Sequence, residues 1–302
     1  MSNQSFTSLS EWFPQNLVLP LWPDLKPIDA LTPQFSVNSV DLALPEREIS
    51  QISNPEMMVF EADNPNGTGV LIIPGGSYKR VALDKEGVDT ARVLREKGYT
   101  VFVMTYRMPA DGHNEGNLVS LADAQRAMRL IRSQAERWPL TQLGVIGFSA
   151  GGHVAAHLST RYELNTYIRK EECDTLSARP DFTTLMYPVI SMDTTFGHPG
   201  SRLELLGQTP SEESLTEFSM ESQVHTESPP CLLIHASDDF AVKAENSIVF
   251  WQALRACSVP VEMHLFECGG HGFGIRDSKG LPVKIWPNLF DSWVKHFQEN
   301  NR

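Results

Sequence analysis

Gly147-Phe148-Ser149-Ala150-Gly151-Gly152-His153 reads G-x-S-x-G, the pattern of a serine held on a tight turn between a strand and a helix. Residues 143–146 before it are apolar enough for a buried strand, and residues 152–160 after it suit a helix. In such a turn the hydroxyl stands at the tip, and the backbone N–H of the next residue, Ala150, aims at the same point. The flanking glycines keep side chains out of a crowded bend where the serine itself is expected to be strained. A short G-x-S-x-G also arises by chance in plain loops, so the rest of the chain must supply the partners that serine chemistry needs.

Outward from this turn, strand and helix patterns alternate. Residues 57–62, 70–74, 99–106, 143–147, 182–190, 231–235 and 261–266 read as strands, with 99–106 (YTVFVMTY) a near-continuous apolar run of the doubly buried kind. Residues 85–97, 118–138, 244–256 and 287–297 read as helices. The alternation fits an α/β fold: one domain over 56–302, with a mostly parallel central sheet flanked by helices. Residues 191–227 are polar and rich in Ser, Thr and Glu; they read as an insertion of loops and short helices near the C-terminal edge of the sheet. Residues 1–55 differ from the rest. Prolines 14, 20, 23, 27, 33, 45 and 55 forbid a long helix or a central strand there, while Trp12, Phe13 and Trp22 argue against a solvated tail. They read as an extended arm packed on the main domain.

Acyl transfer by a serine needs a base, a carboxylate to orient that base, and donors for the developing oxyanion. On this kind of fold the order along the chain is Ser, then acid, then His. After the strand 231–235 the chain reads Ala236-Ser237-Asp238-Asp239-Phe240; Asp239 is the expected acid and Asp238 the alternative. After the strand 261–266 it reads Gly269-Gly270-His271-Gly272-Phe273-Gly274. A histidine among four glycines is hard to explain as core packing, and His271 is the expected base. His153 and His157, on the helix after Ser149, read as packed residues; His235 sits in the strand before the acid; His113, His198, His225, His264 and His296 have no evident partner. The oxyanion donors are expected from the N–H groups of Ala150 and of Gly76 or Ser77, in the loop Pro74-Gly75-Gly76-Ser77-Tyr78 after the strand 70–74. No metal and no organic cofactor is required.

Composition narrows the partners. The 302 residues carry 41% hydrophobic and 21% charged residues, enough for a sizeable core, and a net charge of −12. An acidic surface does not attract phosphate backbones or anionic lipid heads, so neither nucleic acid nor a membrane surface is expected as a partner. A small-molecule or oligosaccharide ester is the expected substrate. Residues 1–11 contain neither a basic residue nor an apolar run, no stretch is long enough to span a bilayer, and the four cysteines form no C-x-x-C pair. The expected compartment is the cytoplasm.

Over most of residues 20–298 the chain resembles the α/β-hydrolase carbohydrate esterases that include acetyl xylan esterases and bifunctional acetyl/feruloyl esterases. The resemblance is carried by Leu21-Trp22-Pro23, by Ile73-Pro74-Gly75-Gly76-Ser77-Tyr78 with Glu86-Gly87 downstream, by residues 99–107, by Asp123-Ala124-Gln125-Arg126-Ala127, by residues 147–153 and by residues 270–274. Ser77 stands where that family usually has glycine, and Lys243 where relatives often have proline. What the resemblance implies is acyl-ester hydrolysis, with O-acetylated sugars as the leading substrate class. Two rivals belong to other classes. A glycoside hydrolase needs two carboxylates flanking a sugar; Glu86, Glu172 and Glu262 are available but no loop context pairs them. A non-catalytic binding protein on the same scaffold would commonly have lost one member of the Ser-His-Asp set, and this chain has all three.

Overall fold

The computed structural model describes residues 8–25, 31–37 and 44–300. Residues 1–7, 26–30 and 38–43 of the expected arm, Pro27 among them, lie outside the described residues. The strands are β1 (Leu17–Pro20), β2 (Gln34–Val37), β3 (Arg47–Ser50), β4 (Glu56–Phe60), β5 (Thr68–Ile73), β6 (Val81–Ala82), β7 (Thr100–Met104), β8 (Gln142–Phe148), β9 (Thr183–Met186), β10 (Cys231–Ala236) and β11 (Val261–Phe266). The helices are α1 (Leu9–Trp12), α2 (Asp89–Glu96), α3 (Val119–Ser133), α4 (Ser149–Arg161), α5 (Pro199–Leu206), α6 (Glu212–Glu217), α7 (Glu245–Ala256) and α8 (Trp286–Asn300).

Eight strands form one sheet in the order β1-β4-β7-β5-β8-β9-β10-β11. The pairs β1–β4 and β4–β7 are antiparallel, and every pair from β7 to β11 is parallel. This is the α/β-hydrolase arrangement. The central strands are buried on both faces, which is why they read as continuous rather than alternating apolar runs. All parallel strands end at one edge, so the loops after β5, β8, β10 and β11 gather there.

Several elements depart from the sequence reading. The strand expected over 182–190 ends at Met186, because Tyr187 takes a left-handed φ of 37° and Pro188 follows. The helix expected from residue 85 opens with a π-helical turn, Leu83–Val88, before α2 begins. Residues 191–227 hold α5, α6 and a 3₁₀ turn, Met220–Gln223. The arm supplies β1, an edge strand compatible with Pro20 at its end, and also β2 and β3. With β6 these make a small antiparallel sheet in the order β2-β3-β6, so the arm grips the chain just past the glycine loop. Arg47 reinforces this grip, donating to Asp84 through its backbone N–H, Nε and Nη2 at 2.7, 2.9 and 2.6 Å. No helix among the described residues is long and apolar enough to cross a membrane.

A buried polar cluster fastens the arm elsewhere. Trp22 Nε1 donates to Asp123 Oδ1 at 2.7 Å, and the same carboxylate takes three donors of Arg107, including Nη2 at 2.7 Å and the backbone N–H at 2.8 Å. Arg126 donates to the Leu21 carbonyl at 2.9 Å and to Asp174 at 2.7 Å. Both guanidiniums lie over the Trp22 ring, 5.5 and 5.1 Å from its centroid. Three of the stretches that carry the family resemblance thus meet at one point.

A second buried polar feature lies on α4. His153 accepts from the Tyr78 hydroxyl at 2.7 Å through Nδ1 and donates to the Phe218 carbonyl at 2.8 Å through Nε2. His157 packs against it, and its Nε2 has no partner among the described residues. Burial pushes the His153 imidazole down to about 4, against the opposing bond to Phe218. Burial and the neighbouring His153 drive His157 the same way.

Two outcomes follow from these buried groups. Asp123→Ala removes the buried carboxylate of Arg107 and leaves that guanidinium only the part-exposed Glu115, at 3.1 Å from Nη1; it should cost about 3 kcal/mol, read as a lower urea midpoint at unchanged m-value. The histidines bind protons more readily when unfolded, so their stabilising effect is full above about pH 6.5 and fades toward pH 4. His153 alone should remove about 3 kcal/mol across that window. Urea titrations at pH 7, 5.5 and 4 measure this; His153→Gln should flatten the slope, and an equally steep slope in that variant would assign the loss to other groups.

Candidate active site

Ser149 follows the last residue of β8 and opens α4, with φ at 51°, a conformation forced on a non-glycine residue by the turn. The turn is tight because α4 runs close under the strand edge. A Cβ on Gly151 would lie 2.2 Å from the Ile73 carbonyl oxygen and 2.4 Å from that of Pro74, so no side chain fits there. This contact joins the serine turn to the glycine loop after β5.

Ser149 Oγ lies 2.9 Å from His271 Nε2, and His271 Nδ1 lies 2.7 Å from Asp239 Oδ2. A neutral imidazole with its proton on Nδ1 satisfies both contacts: it donates to the carboxylate and accepts from the hydroxyl. His271 sits in the loop after β11, where Gly270 and Gly272 on either side adopt φ of 62° and 69°. These left-handed angles turn the chain back on itself and hold the ring out toward the serine. The Tyr187 ring meets the imidazole edge-on at 5.1 Å between centroids.

The two adjacent carboxylates after β10 do different things. Asp239 points inward, its side chain fully buried. Its Oδ1 accepts the N–H groups of Ala241 and Val242 at 3.0 and 2.8 Å. His235 Nε2 approaches Oδ2 at 3.3 Å while also donating to the Val242 carbonyl at 2.9 Å, and Ser247 donates to its Nδ1 at 2.8 Å. Burial works to raise the Asp239 carboxyl, but the hydrogen bonds from His235 and His271, the electrostatic attraction of the His271 ring and the Val242 N–H together hold it well below the usual carboxylate range. Asp238 turns the other way. Its Oδ1 accepts the N–H groups of Gly269 and Gly270 at 2.9 and 2.7 Å, fixing the loop that carries His271.

The glycine loop lies beside the serine: a Cβ on Gly75 would be 2.8 Å from Ser149 Cβ. Gly76, Ser77 and Tyr78 all take positive φ, at 136°, 59° and 60°. The Gly76 carbonyl accepts from Lys79 and Arg80, while the N–H groups of Gly76 and Ser77 have no partner among the described residues. Ala150, in the first turn of α4, has an N–H outside the helix ladder. Every sequence-predicted site residue therefore lies at one edge of the sheet. No group of three or more His, Cys, Asp or Glu able to hold a metal ion occurs among the described residues.

Other residues at this edge escaped the sequence reading. Tyr187 had no local signal, since it reads as the end of a strand. His235 supports the acid from behind, and only its place in the strand before the acid hinted at this. His198 caps α5, its Nδ1 accepting from the Ser201 N–H and hydroxyl at 3.1 and 2.8 Å. Burial lowers its pKa, and the electrostatic influence of the His271 ring adds to that effect, so α5 brings an imidazole near the site. The His-Pro pair at its helix start was the available clue.

A solved acetyl ester-xyloside bifunctional hydrolase from Caldicellulosiruptor lactoaceticus is 31% identical, with a TM-score of 0.73 over 93% of this chain and 96% of that one. A solved sugar hydrolase from Lactococcus lactis is 25% identical, with a TM-score of 0.68 over 89% of this chain and all of the other. Among curated proteins, an acetylxylan esterase of Xylanibacter ruminicola is 30% identical over 232 residues, and an endo-1,4-beta-xylanase B of Butyrivibrio fibrisolvens is 34% identical over 212. The matched regions span 45% and 33% of those two proteins, so this chain corresponds to less than half of either. The family model named BD-FAE matches residues 60–254, well over half the chain. The chain belongs to the BD-FAE family.

Proposed function

We propose that this chain is a serine esterase that hydrolyses short acyl esters, above all O-acetyl groups on carbohydrates. The observation that carries the reading is the unbroken relay from Ser149 Oγ through His271 to Asp239, at 2.9 and 2.7 Å, with the serine in a strained left-handed turn. Ser149 attacks the ester carbonyl while His271 Nε2 takes the hydroxyl proton. Asp239 keeps the imidazole oriented and offsets its positive charge. The N–H groups of Ala150 and of Gly76 or Ser77 receive the oxyanion. His271 then protonates the departing alcohol, and a water activated by the same ring releases the acid from the acyl-enzyme.

The acetyl-carbohydrate part of the reading draws on the relatives named for acetylxylan and acetyl ester-xyloside substrates. In this reading residues 56–302 form the catalytic domain, residues 1–55 an arm packed on it, and residues 191–227 an insertion beside the site. Four free cysteines fit a cytoplasmic, reducing compartment. Two relatives carry xylanase or xyloside names, which makes glycoside hydrolysis the second reading. The geometry favours it less. Glu86 is buried with its oxygens accepting from Gly75 and Tyr187, Glu172 is exposed at the start of a 3₁₀ turn, and Glu262 pairs with His264 on the outer strand β11.

Ser149→Ala should lower ester turnover by at least about 10⁴-fold, with an unchanged unfolding curve and no labelling by a fluorophosphonate probe; substantial residual turnover in that variant would refute the nucleophile. Asp239→Asn should cost about 10⁴-fold in kcat, whereas Asp238→Asn, which loosens only the histidine loop, should cost far less. Equal losses would mean the two carboxylates share the task. For the substrate class, acetate should be released from acetylated xylo-oligosaccharides, with p-nitrophenyl acetate preferred over longer acyl esters and aryl xylosides left intact. Xyloside cleavage that survives Ser149→Ala would favour the second reading.

A further inference from the structure

Glu86 is a buried carboxylate that the relay above does not use. It lies in the π-helical turn Leu83–Val88, only 4% exposed. Its Oε2 accepts the Gly75 N–H at 2.6 Å, and its Oε1 accepts the Tyr187 hydroxyl at 3.0 Å. The Tyr187 oxygen in turn accepts the N–H of Gly274 at 3.2 Å. A Cβ on Gly75 would lie 2.9 Å from Oε2, and one on Gly272, the residue after His271, 4.0 Å from Oε1. One carboxylate thus stands between the glycine loop and the histidine loop and holds both. Both of its oxygens act as acceptors, and it forms no ion pair among the described residues. Its neighbour Lys85 is engaged with Asp277 at 2.9 Å.

A buried carboxylate without a cation costs stability, and an apolar side chain of similar size would pack there at lower cost. The π-turn, a feature that gathers at functional sites, is the local distortion that presents Glu86 to the loops. Resting on the esterase reading, we infer that Glu86 is a positioning residue for acyl transfer: it sets the distance between the oxyanion donors and His271 by tying Gly75 directly and Gly274 through Tyr187. Occupying the Gly75 N–H leaves the next two, on Gly76 and Ser77, as the free donors and fixes where they point. The Tyr106 hydroxyl, donating to the Pro74 carbonyl at 2.9 Å, and Trp286 Nε1, donating to the Gly274 carbonyl at 2.8 Å, brace the two ends of the same bridge. Oxyanion donors act through preorganisation, and small misplacements of a reacting group are expensive.

The test uses the full chain with p-nitrophenyl acetate and phenylboronic acid, which forms a tetrahedral adduct on the serine. Glu86→Gln keeps the volume but puts an NH₂ where an acceptor is needed, so one tie breaks. It should lower kcat about 10–100-fold with KM within about 2-fold, and weaken boronate inhibition in parallel. Tyr187→Phe cuts only the tie to the histidine loop and should show a smaller loss of the same kind. The double variant should lose little more than Glu86→Gln alone, because the two residues act in series. A folded Glu86→Gln enzyme within about 3-fold of wild-type kcat overturns the inference, as does a loss that follows the folded fraction while boronate affinity per active serine is unchanged. If Glu86→Gln does not fold, a Tyr187→Phe enzyme with wild-type kcat and boronate affinity overturns it instead. A wild-type chain that cleaves no ester removes the esterase reading and this inference together, whereas an active wild type with an equally active Glu86→Gln removes the inference alone.

Discussion

The structure depends first on the contact between the opening turn of α4 and the end of β5. At Gly151 the helix backbone comes so close to the carbonyls of Ile73 and Pro74 that even a methyl group has no room. That closeness leaves Ser149 at a φ of 51° and brings the glycine loop beside the serine. A looser crossing would relax the serine into ordinary helical geometry and carry the hydroxyl away from His271. The strain at Ser149 is held in place by the surrounding packing, which over-determines the turn.

Around this fixed point the protein uses neighbouring residues of like chemistry for unlike tasks. Asp238 and Asp239 are adjacent, yet one binds two backbone N–H groups of the histidine loop and the other faces the imidazole. Their environments separate them. Asp239 lies deep enough for His235 and its own turn to complete its hydrogen bonding, while Asp238 stays at the loop surface. The histidines divide in the same way: His271 is half-open at the site, whereas His153 is sealed in the core as a link between Tyr78 and Phe218.

How much of this was legible in the sequence depended on the range of the interaction that decided each feature. The parallel strands could be read because their burial on both faces is written in contiguous apolar residues, and β11 over 261–266 was read to the residue. That Ser149, Asp239 and His271 come together could be read because each follows such a strand. What decides between Asp238 and Asp239 could not, since it lies in N–H groups some thirty positions away at Gly269 and Gly270. The short strands β1, β2, β3 and β6 have little pattern of their own and exist through pairing with distant partners. The π-turn at Leu83–Val88 looks like ordinary helix in composition, and only the pull of Gly75 and Tyr187 on Glu86 marks it out. Trp22 and Asp123 stand in recognisable motifs, but their union with Arg107 and Arg126 spans about a hundred residues of chain.

The small sheet β2-β3-β6 gives the arm an influence its proline content conceals. β6 begins three residues after Tyr78, and β3 holds it by backbone bonds while Arg47 clamps Asp84. The stiffness of the glycine-loop corner is therefore borrowed from the N-terminal arm. Heat that first frees β2 and β3 would leave the parallel strands paired while this corner goes slack, so the loop beside Ser149 would lose its shape before the main sheet melted.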